Sequence, residues 1–324
     1  GWDYSLGAII GGIMVLLYCM AGGMRASIWT DAAQSFVMIF SMGILTFTAI
    51  SSLGGVSEVY LKLKAVSPTF LSLVPSSLAD QGLSALALFA FGWILAGFGV
   101  VGQPHIMMRF VTLDNPKNMK KARVYYYSWY GLFSLLTIVV GLCARLLIPE
   151  TSSFDSELAL PLMSKNLLPE VLVGLILAGL FAATMSTADS QILSCSGALS
   201  KDIFPQKKPN LLITKLFTIL AALFSLSIAL YGSANVFNLV VVAWSVLAAA
   251  FAPFITLLAL GYYISEITAL FMIVIGVITT LVWRELGLSS SIAEVAPGIA
   301  AGLFVFFISN ILKGLFYKKS DAFS

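Results

Sequence analysis

Nine long apolar stretches dominate the sequence: 4–22, 26–52, 84–112, 122–147, 171–203, 210–231, 235–259, 264–284 and 292–316. Each is long enough to cross a bilayer, because about 20 mostly apolar residues span a hydrocarbon core of about 30 Å. A spanning segment must satisfy its own backbone N–H and C=O groups, which leaves helices or closed barrels. The stretches lack the two-residue alternation of barrel strands. An all-α polytopic membrane protein with about nine transmembrane helices is therefore predicted. Composition agrees, with 59% of the 324 residues apolar and 10% charged. A soluble domain is about one quarter charged.

Lys and Arg set the expected orientation, since they concentrate in cytoplasmic connections. Placing the turn at Gly22-Gly23-Met24-Arg25 inside and alternating from there puts 13 of the 18 basic residues in the cytoplasm. The outer connections keep Lys62, Lys64, Arg145, Lys165 and Arg284, together with acids such as Glu58, Asp80, Glu150 and Glu170. The N-terminal end then lies outside and the Lys-rich C-terminus inside a plasma membrane of the bacterial inner-membrane type. Two outer connections are long. Residues 53–83 carry a helix start at Ser57-Glu58 with an amphipathic stretch to about Val66, and 148–170 carry a short helical pattern around Leu158–Met163. Lids and ordered connectors are both compatible with such loops. The whole of 1–324 reads as a single transmembrane domain. The three cysteines, Cys19, Cys143 and Cys195, sit in apolar runs and read as small buried hydrophobes. No basic run is interleaved with aromatics, so no nucleic-acid partner is expected.

The informative residues interrupt the apolar runs. Asp31 lies a few residues into the second stretch, where a carboxylate costs about 2.5–3.5 kcal/mol and requires a partner or a wet cavity. Pairing with Arg25 at a hydrated helix end is the structural alternative. The fifth stretch reads Ala182-Ala183-Thr184-Met185-Ser186-Thr187-Ala188-Asp189-Ser190-Gln191. At helical spacing Ala183, Ser186, Thr187, Ser190 and Ser194 share a face, with Asp189 to its side. Hydroxyls of this kind can bond helices together. Hydroxyls, a carbonyl and a carboxylate are also what a hard cation binds, and the Asp favours that reading. In the third stretch Gly97, Gly99, Gly102 and Pro104 fall within eight residues, beside Gln103 and His105. A kink with close glycine packing and a full interruption that exposes backbone to a solute both fit this pattern. If solute binds there, Trp93 and Phe98 supply apolar walls and Gln103 a hydrogen bond, with Gly97, Val100 and Pro104 at the break. No Ser/His pair or metal-ligand spacing suggests an enzyme.

Three motifs in order resemble the sodium/solute symporter family. Gly22-Gly23-Met24-Arg25-Ala26 with Ile28-Trp29-Thr30-Asp31 resembles the glycine pair and Trp-Thr-Asp segment of that family. Gly102-Gln103-Pro104-His105 with Arg109-Phe110 resembles its sodium/proline branch, and Met185 through Gln191 resembles its sodium-site helix. The similarity runs from Tyr4 to about Leu312. It implies a LeuT-like inverted-repeat fold with sodium and solute bound near mid-membrane. Residues 4–52 would then be the last two helices of the first repeat, 84–259 the second repeat, and 264–316 two extra helices. The N-terminal helices of the first repeat are expected as a missing partner from the same protein.

Carried over by resemblance, the main sodium site is the Ala183 carbonyl with the Ser186 and Thr187 hydroxyls. A second site would use Asp31 with Ser186, Asp189 and Ser190, although family members that use it have a hydroxyl at the Asp189 position. The proline branch has an aromatic where this chain has Val100, and a Trp where it has Ala96. The resemblance implies sodium-coupled symport of a small organic solute such as proline, by alternating access in the lipid bilayer, with Na+ as co-transported ion. Symport of a carboxylate or sugar acid, and a symporter-like sensor module, are the alternatives.

Overall fold

The computed structural model describes residues 3–72, 74, 82–148, 155–205, 210–231, 236–290 and 292–313. Asp80, Glu150, Lys207, Lys208 and the tail containing Lys318 and Lys319 lie outside the described residues. The chain is all-helical: α1 (Tyr4–Ser52), α2 (Val56–Val66), α3 (Gly82–Gly97), α4 (Pro104–Val111), α5 (Met119–Leu147), α6 (Ala159–Leu167), α7 (Glu170–Ala198), α8 (Leu211–Tyr231), α9 (Val236–Ala259), α10 (Glu266–Glu285) and α11 (Val295–Lys313). Among the described residues, eight helical segments are long and apolar enough to cross a membrane, the first of them 48 residues long.

That first segment is not one rod. A helix of its length would run about 70 Å at 1.5 Å per residue, more than twice a hydrocarbon core. It breaks at Gly23, whose φ of 58° and ψ of −165° suit a residue without Cβ. Tyr18 and Cys19, before the break, interact with Asp189 of α7. Ser41, after it, donates to the Leu175 carbonyl of α7 at 3.0 Å. The second half therefore runs back along α7 toward its N-terminal end, and the expected turn at Gly22-Gly23 is a chain reversal.

The chain forms two compact units, one of residues 1–73 and 113–230, the other of 74–112 and 231–324. In the first, a buried cluster gathers the C-terminal end of α1 (Leu45, Ala49, Leu53), α2 (Val59, Leu63), α5 (Val140, Cys143), α6 (Met163) and Ile176 of α7. The short helices α2 and α6 thus use their apolar faces to cap one end of this unit. Lys62 donates to the Leu53 carbonyl at 2.8 Å, satisfying a group left open at the end of α1. Helix α2 begins one residue before the expected Ser57, with Gly55 as its cap and no side-chain cap bond. Farther along α7, Ser196 bonds the Thr218 hydroxyl and the Thr214 carbonyl of α8.

In the second unit α9, α10 and α11 pack through small residues. Gly276 faces the Ala249 carbonyl, Gly298 faces Thr280 and Ala249, and Gly302 faces Pro253. With little hydrophobic drive between helices in lipid, such close backbone approach supplies the dispersion contact that holds them. Larger residues fill the end of the seam, where Leu257, Met272 and Phe306 are buried together.

Candidate functional site

Helix α7 runs unbroken through the polar cluster, and back-bonding to the preceding turn organises its oxygens. The Thr187 hydroxyl donates to the Ala183 carbonyl at 3.2 Å, and the Ser190 hydroxyl to the Ser186 carbonyl at 2.8 Å. Each hydroxyl commits its one proton to a carbonyl and keeps its lone pairs for an acceptor role. Ala183 and Ser186 are half-buried and Thr187 is exposed, whereas Asp189 and Ser190 are buried. The cluster therefore divides into an open side bearing Ala183, Ser186 and Thr187 and an inward side bearing Asp189.

Asp189 is only 1% exposed. The Cys19 thiol hydrogen-bonds to its carboxylate, and Tyr18 interacts electrostatically with both Asp189 and Asp31. One Asp189 oxygen (Oδ2), the Tyr18 hydroxyl and the Ser27 hydroxyl are buried without a hydrogen-bond partner. Ser27 stands one turn before Asp31 on the second half of α1, and the orphaned Tyr18 and Asp189 oxygens lie where α1 meets α7. Each such group costs about 1–3 kcal/mol unless something satisfies it. Among the described residues no three His, Cys, Asp or Glu are arranged to hold a metal. A donor set of hydroxyls, carbonyls and isolated carboxylates suits an alkali cation, not zinc.

In the second unit the third apolar stretch is interrupted, not merely kinked. Helix α3 ends at Gly97, a tight turn covers Phe98–Val100, and Gln103 is extended (φ −89°, ψ 109°) before α4 starts at Pro104. Proline disfavours helical geometry in the residue before it, which accounts for Gln103. The glycines let α9 close on the break: Gly99 lies against the Trp244 indole and Gly102 against the Leu247 carbonyl and Ala248. The indole N–H of Trp244 donates to the Ala96 carbonyl at 3.2 Å.

Gln103 is 3% exposed, and its amide nitrogen is buried without a partner. Trp93 and Gly97 line a cavity of about 700 Å³ together with Phe89, Phe237, Trp244 and Glu294. Phe98, Val100, Gln103 and Pro104 do not line it. Phe98 and Pro104 are exposed and Val100 is half-buried. The segment thus holds all six expected solute residues in sequence but brings only two of them to the cavity.

Sequence reasoning missed several participants. Tyr18 and Cys19 lie in a stretch that looks uniformly apolar, and Cys19 bonds a carboxylate instead of serving only as filler. Cys195, expected buried, is exposed. Glu294 is 5% exposed and accepts from Arg284 at 3.2 Å and from Ser245 at 3.4 Å. Its signal was available: Arg284 and Glu294 are opposite charges flanking the turn between two apolar stretches.

The sequence profile of the Sodium:solute symporter family matches residues 1–276. The osmoregulated proline transporter OpuE of Bacillus subtilis (strain 168) is 28% identical over 96% of this chain and 64% of its own length. The high-affinity proline transporter PutP of the same organism is 26% identical over 100% of the chain and 69% of its own length. A sodium/proline symporter of Staphylococcus aureus is 28% identical over 100% and 64%. The chain thus spans about two thirds of the length of these relatives. A Na+-coupled sialic acid symporter, solved in a substrate-bound outward-open state, superposes with a TM-score of 0.77 at 19% identity, over 96% of this chain and 67% of that one. At that identity the likeness establishes the fold, a LeuT-type helical membrane architecture.

Proposed function

The chain belongs to the Sodium:solute symporter family, and from that premise we propose that the complete protein couples inward sodium movement to uptake of proline by alternating access. It is a multi-pass membrane transporter, not an enzyme. The observation that carries the sodium reading is the oxygen cluster of α7. The Ala183 carbonyl and the Thr187 hydroxyl are held 3.2 Å apart, and Ser186 precedes Thr187 on the same helix. These three are the proposed ligands of the coupling ion. Asp31, Asp189, Ser186 and Ser190 are proposed for a second one, since buried carboxylate oxygens on either side of the α1–α7 contact call for positive charge.

Coupling requires that sodium and solute each favour the same conformation, and the coupling free energy is reciprocal. The available drive is sufficient. A potential of 100 mV contributes about 2.3 kcal/mol per charge. A tenfold sodium gradient adds about 1.4 kcal/mol. One sodium can therefore support an accumulation of several hundred-fold.

Proline is supported by the similarity to proline transporters and by the Gly102-Gln103-Pro104-His105 segment. A zwitterionic ring solute needs an apolar wall and a few polar contacts, and the cavity offers Trp93, Gly97, Phe89 and Phe237 for the wall and Ser245 and Glu294 for polar contact. Val100 and Ala96 are smaller than the aromatic residues the proline branch resemblance implies. A cavity of about 700 Å³ also has room for a larger solute. A carboxylate or sugar acid is accordingly the second reading.

The test is labelled-solute uptake by the complete protein across a sodium series. Ser186→Ala and Thr187→Ala are expected to raise the sodium concentration for half-maximal uptake roughly tenfold, the loss of one oxygen contact worth about 1–1.5 kcal/mol. Unchanged sodium dependence in both variants overturns the ion site. Competition by unlabelled proline, other amino acids and sugar acids decides the solute, and failure of proline to compete moves the assignment to the second reading.

A further inference from the structure

We propose that the first two turns of α5 form a binding site for the phosphate headgroup of an anionic phospholipid. Residues 117–123 hold Lys117, Lys120, Lys121 and Arg123, four of the chain's 18 basic residues within seven positions. No Asp or Glu occurs from Asn115 through Pro149. The acid just before this stretch, Asp114, accepts from the Asn118 amide at 3.0 Å and from the Asn115 N–H at 2.8 Å, so it is engaged in shaping the turn. The local field is therefore strongly positive at the end of a helix that enters the membrane.

Geometry sorts these charges. Lys120, Arg123, Val124, Tyr127 and Ser128, at positions i, i+3, i+4, i+7 and i+8, share one face of α5 and line an open groove of about 460 Å³ there. Lys120, Arg123 and Tyr127 are exposed. The two cations come first, the Tyr127 and Ser128 hydroxyls stand about one turn deeper, and Tyr126 stacks on Tyr130 with ring centroids 5.9 Å apart. From Gly131 to Ala144 the helix carries no charged residue and is mostly apolar. This order of cation, hydroxyl with aromatic, then hydrocarbon matches the order of phosphate, ester region and acyl chain in a lipid leaflet. Tyrosines prefer that interfacial depth, and juxtamembrane Lys/Arg clusters attract anionic headgroups. A soluble phosphate would use the cations and leave the aromatic face unused.

The complete protein, purified in detergent, is titrated by native mass spectrometry with phosphatidylglycerol or phosphatidylcholine. Phosphatidylglycerol is expected to bind more tightly. The double substitution K120Q/R123Q is expected to raise its half-saturating concentration roughly 10- to 30-fold. K120R/R123K, which keeps both charges, should retain the affinity and so separates loss of charge from misfolding. Lys64→Gln on α2 should have no effect. Equal affinity for the two lipids overturns the proposal, as does an unchanged affinity in K120Q/R123Q or an equal loss in Lys64→Gln. Displacement of the bound lipid by millimolar inorganic phosphate would also overturn it, making the ligand free phosphate. None of these readouts involves sodium or transport, so they stand apart from the symport assignment.

Discussion

At Gly102 a single methyl group would collide with the Leu247 carbonyl and the Ala248 backbone of α9, and neither is a flexible side-chain end that could move aside. Gly102→Ala is therefore expected to destabilise the purified protein by about 1–3 kcal/mol, the usual range for overpacking a close contact. At Gly97, five residues earlier in the same glycine-rich segment, the added methyl meets open space. Gly97→Ala should be neutral or slightly stabilising at this end of α3, since Ala is the better helix former by up to about 1 kcal/mol. Thermal unfolding of the two variants side by side checks the contrast. Equal melting temperatures would mean that α9 does not press on the break. The same scale marks the limit of sequence reading. Pro104 and its neighbouring glycines announced an interruption because their backbone constraints are local. That α9 fills it with Trp244 was invisible, because about 140 residues separate the partners and no local rule connects them.

Between elements, the pair Arg284–Glu294 ties the end of α10 to the start of α11. The Glu294 carboxylate is 6% exposed and the Arg284 side chain 34%. Removing Arg284 leaves a buried carboxylate with, among the described residues, the Ser245 hydroxyl at 3.4 Å. Breaking a fully buried pair costs about 3–5 kcal/mol. The partial exposure of Arg284 lowers this, so Arg284→Gln is expected to cost about 2 kcal/mol. The double variant Arg284→Gln, Glu294→Gln should recover most of the loss, and a melting experiment on all three variants checks it. No recovery would show that the arginine stabilises by packing, not by charge.

The membrane helices themselves were legible, because few structures besides a spanning helix accommodate an apolar run of such length. The polar cluster of α7 was legible for the same reason in reverse, since carboxylate and hydroxyls in a spanning stretch demand a cause. What was not legible is the setting of Asp189. Its neighbours Tyr18 and Cys19 lie on α1, about 170 residues away in sequence, and no local rule connects an apolar stretch to so distant a carboxylate. The residues expected to meet a solute show the converse. The pattern marked an interrupted segment but could not say that Trp93 and Gly97 line a cavity while Phe98 and Pro104 do not.

For the molecule as a whole, the distribution of Lys and Arg leads to an orientation that can be tested. With α2 outside and the first turns of α5 inside, Lys64→Cys on a cysteine-free background should react with a membrane-impermeant maleimide in intact cells. Arg123→Cys should react only in inverted membranes. Both residues are exposed, so reactivity reports the side of the membrane and not burial. Labelling of Arg123→Cys in intact cells would reverse the orientation, and the headgroup site of α5 would then face the outer leaflet.

The indole of Trp244 forms part of a cavity wall and is hydrogen-bonded through its ring nitrogen to Ala96. An indole fixed in this way is an optical reporter built into the protein. Its emission depends on the polarity around the ring, so a molecule that enters the cavity and displaces water shifts the light to shorter wavelength. Replacing Trp244 with Phe subtracts that signal from the emission of the chain's six tryptophans. Cavity occupancy then becomes visible without any attached dye, in a protein standing still as well as in one that is transporting.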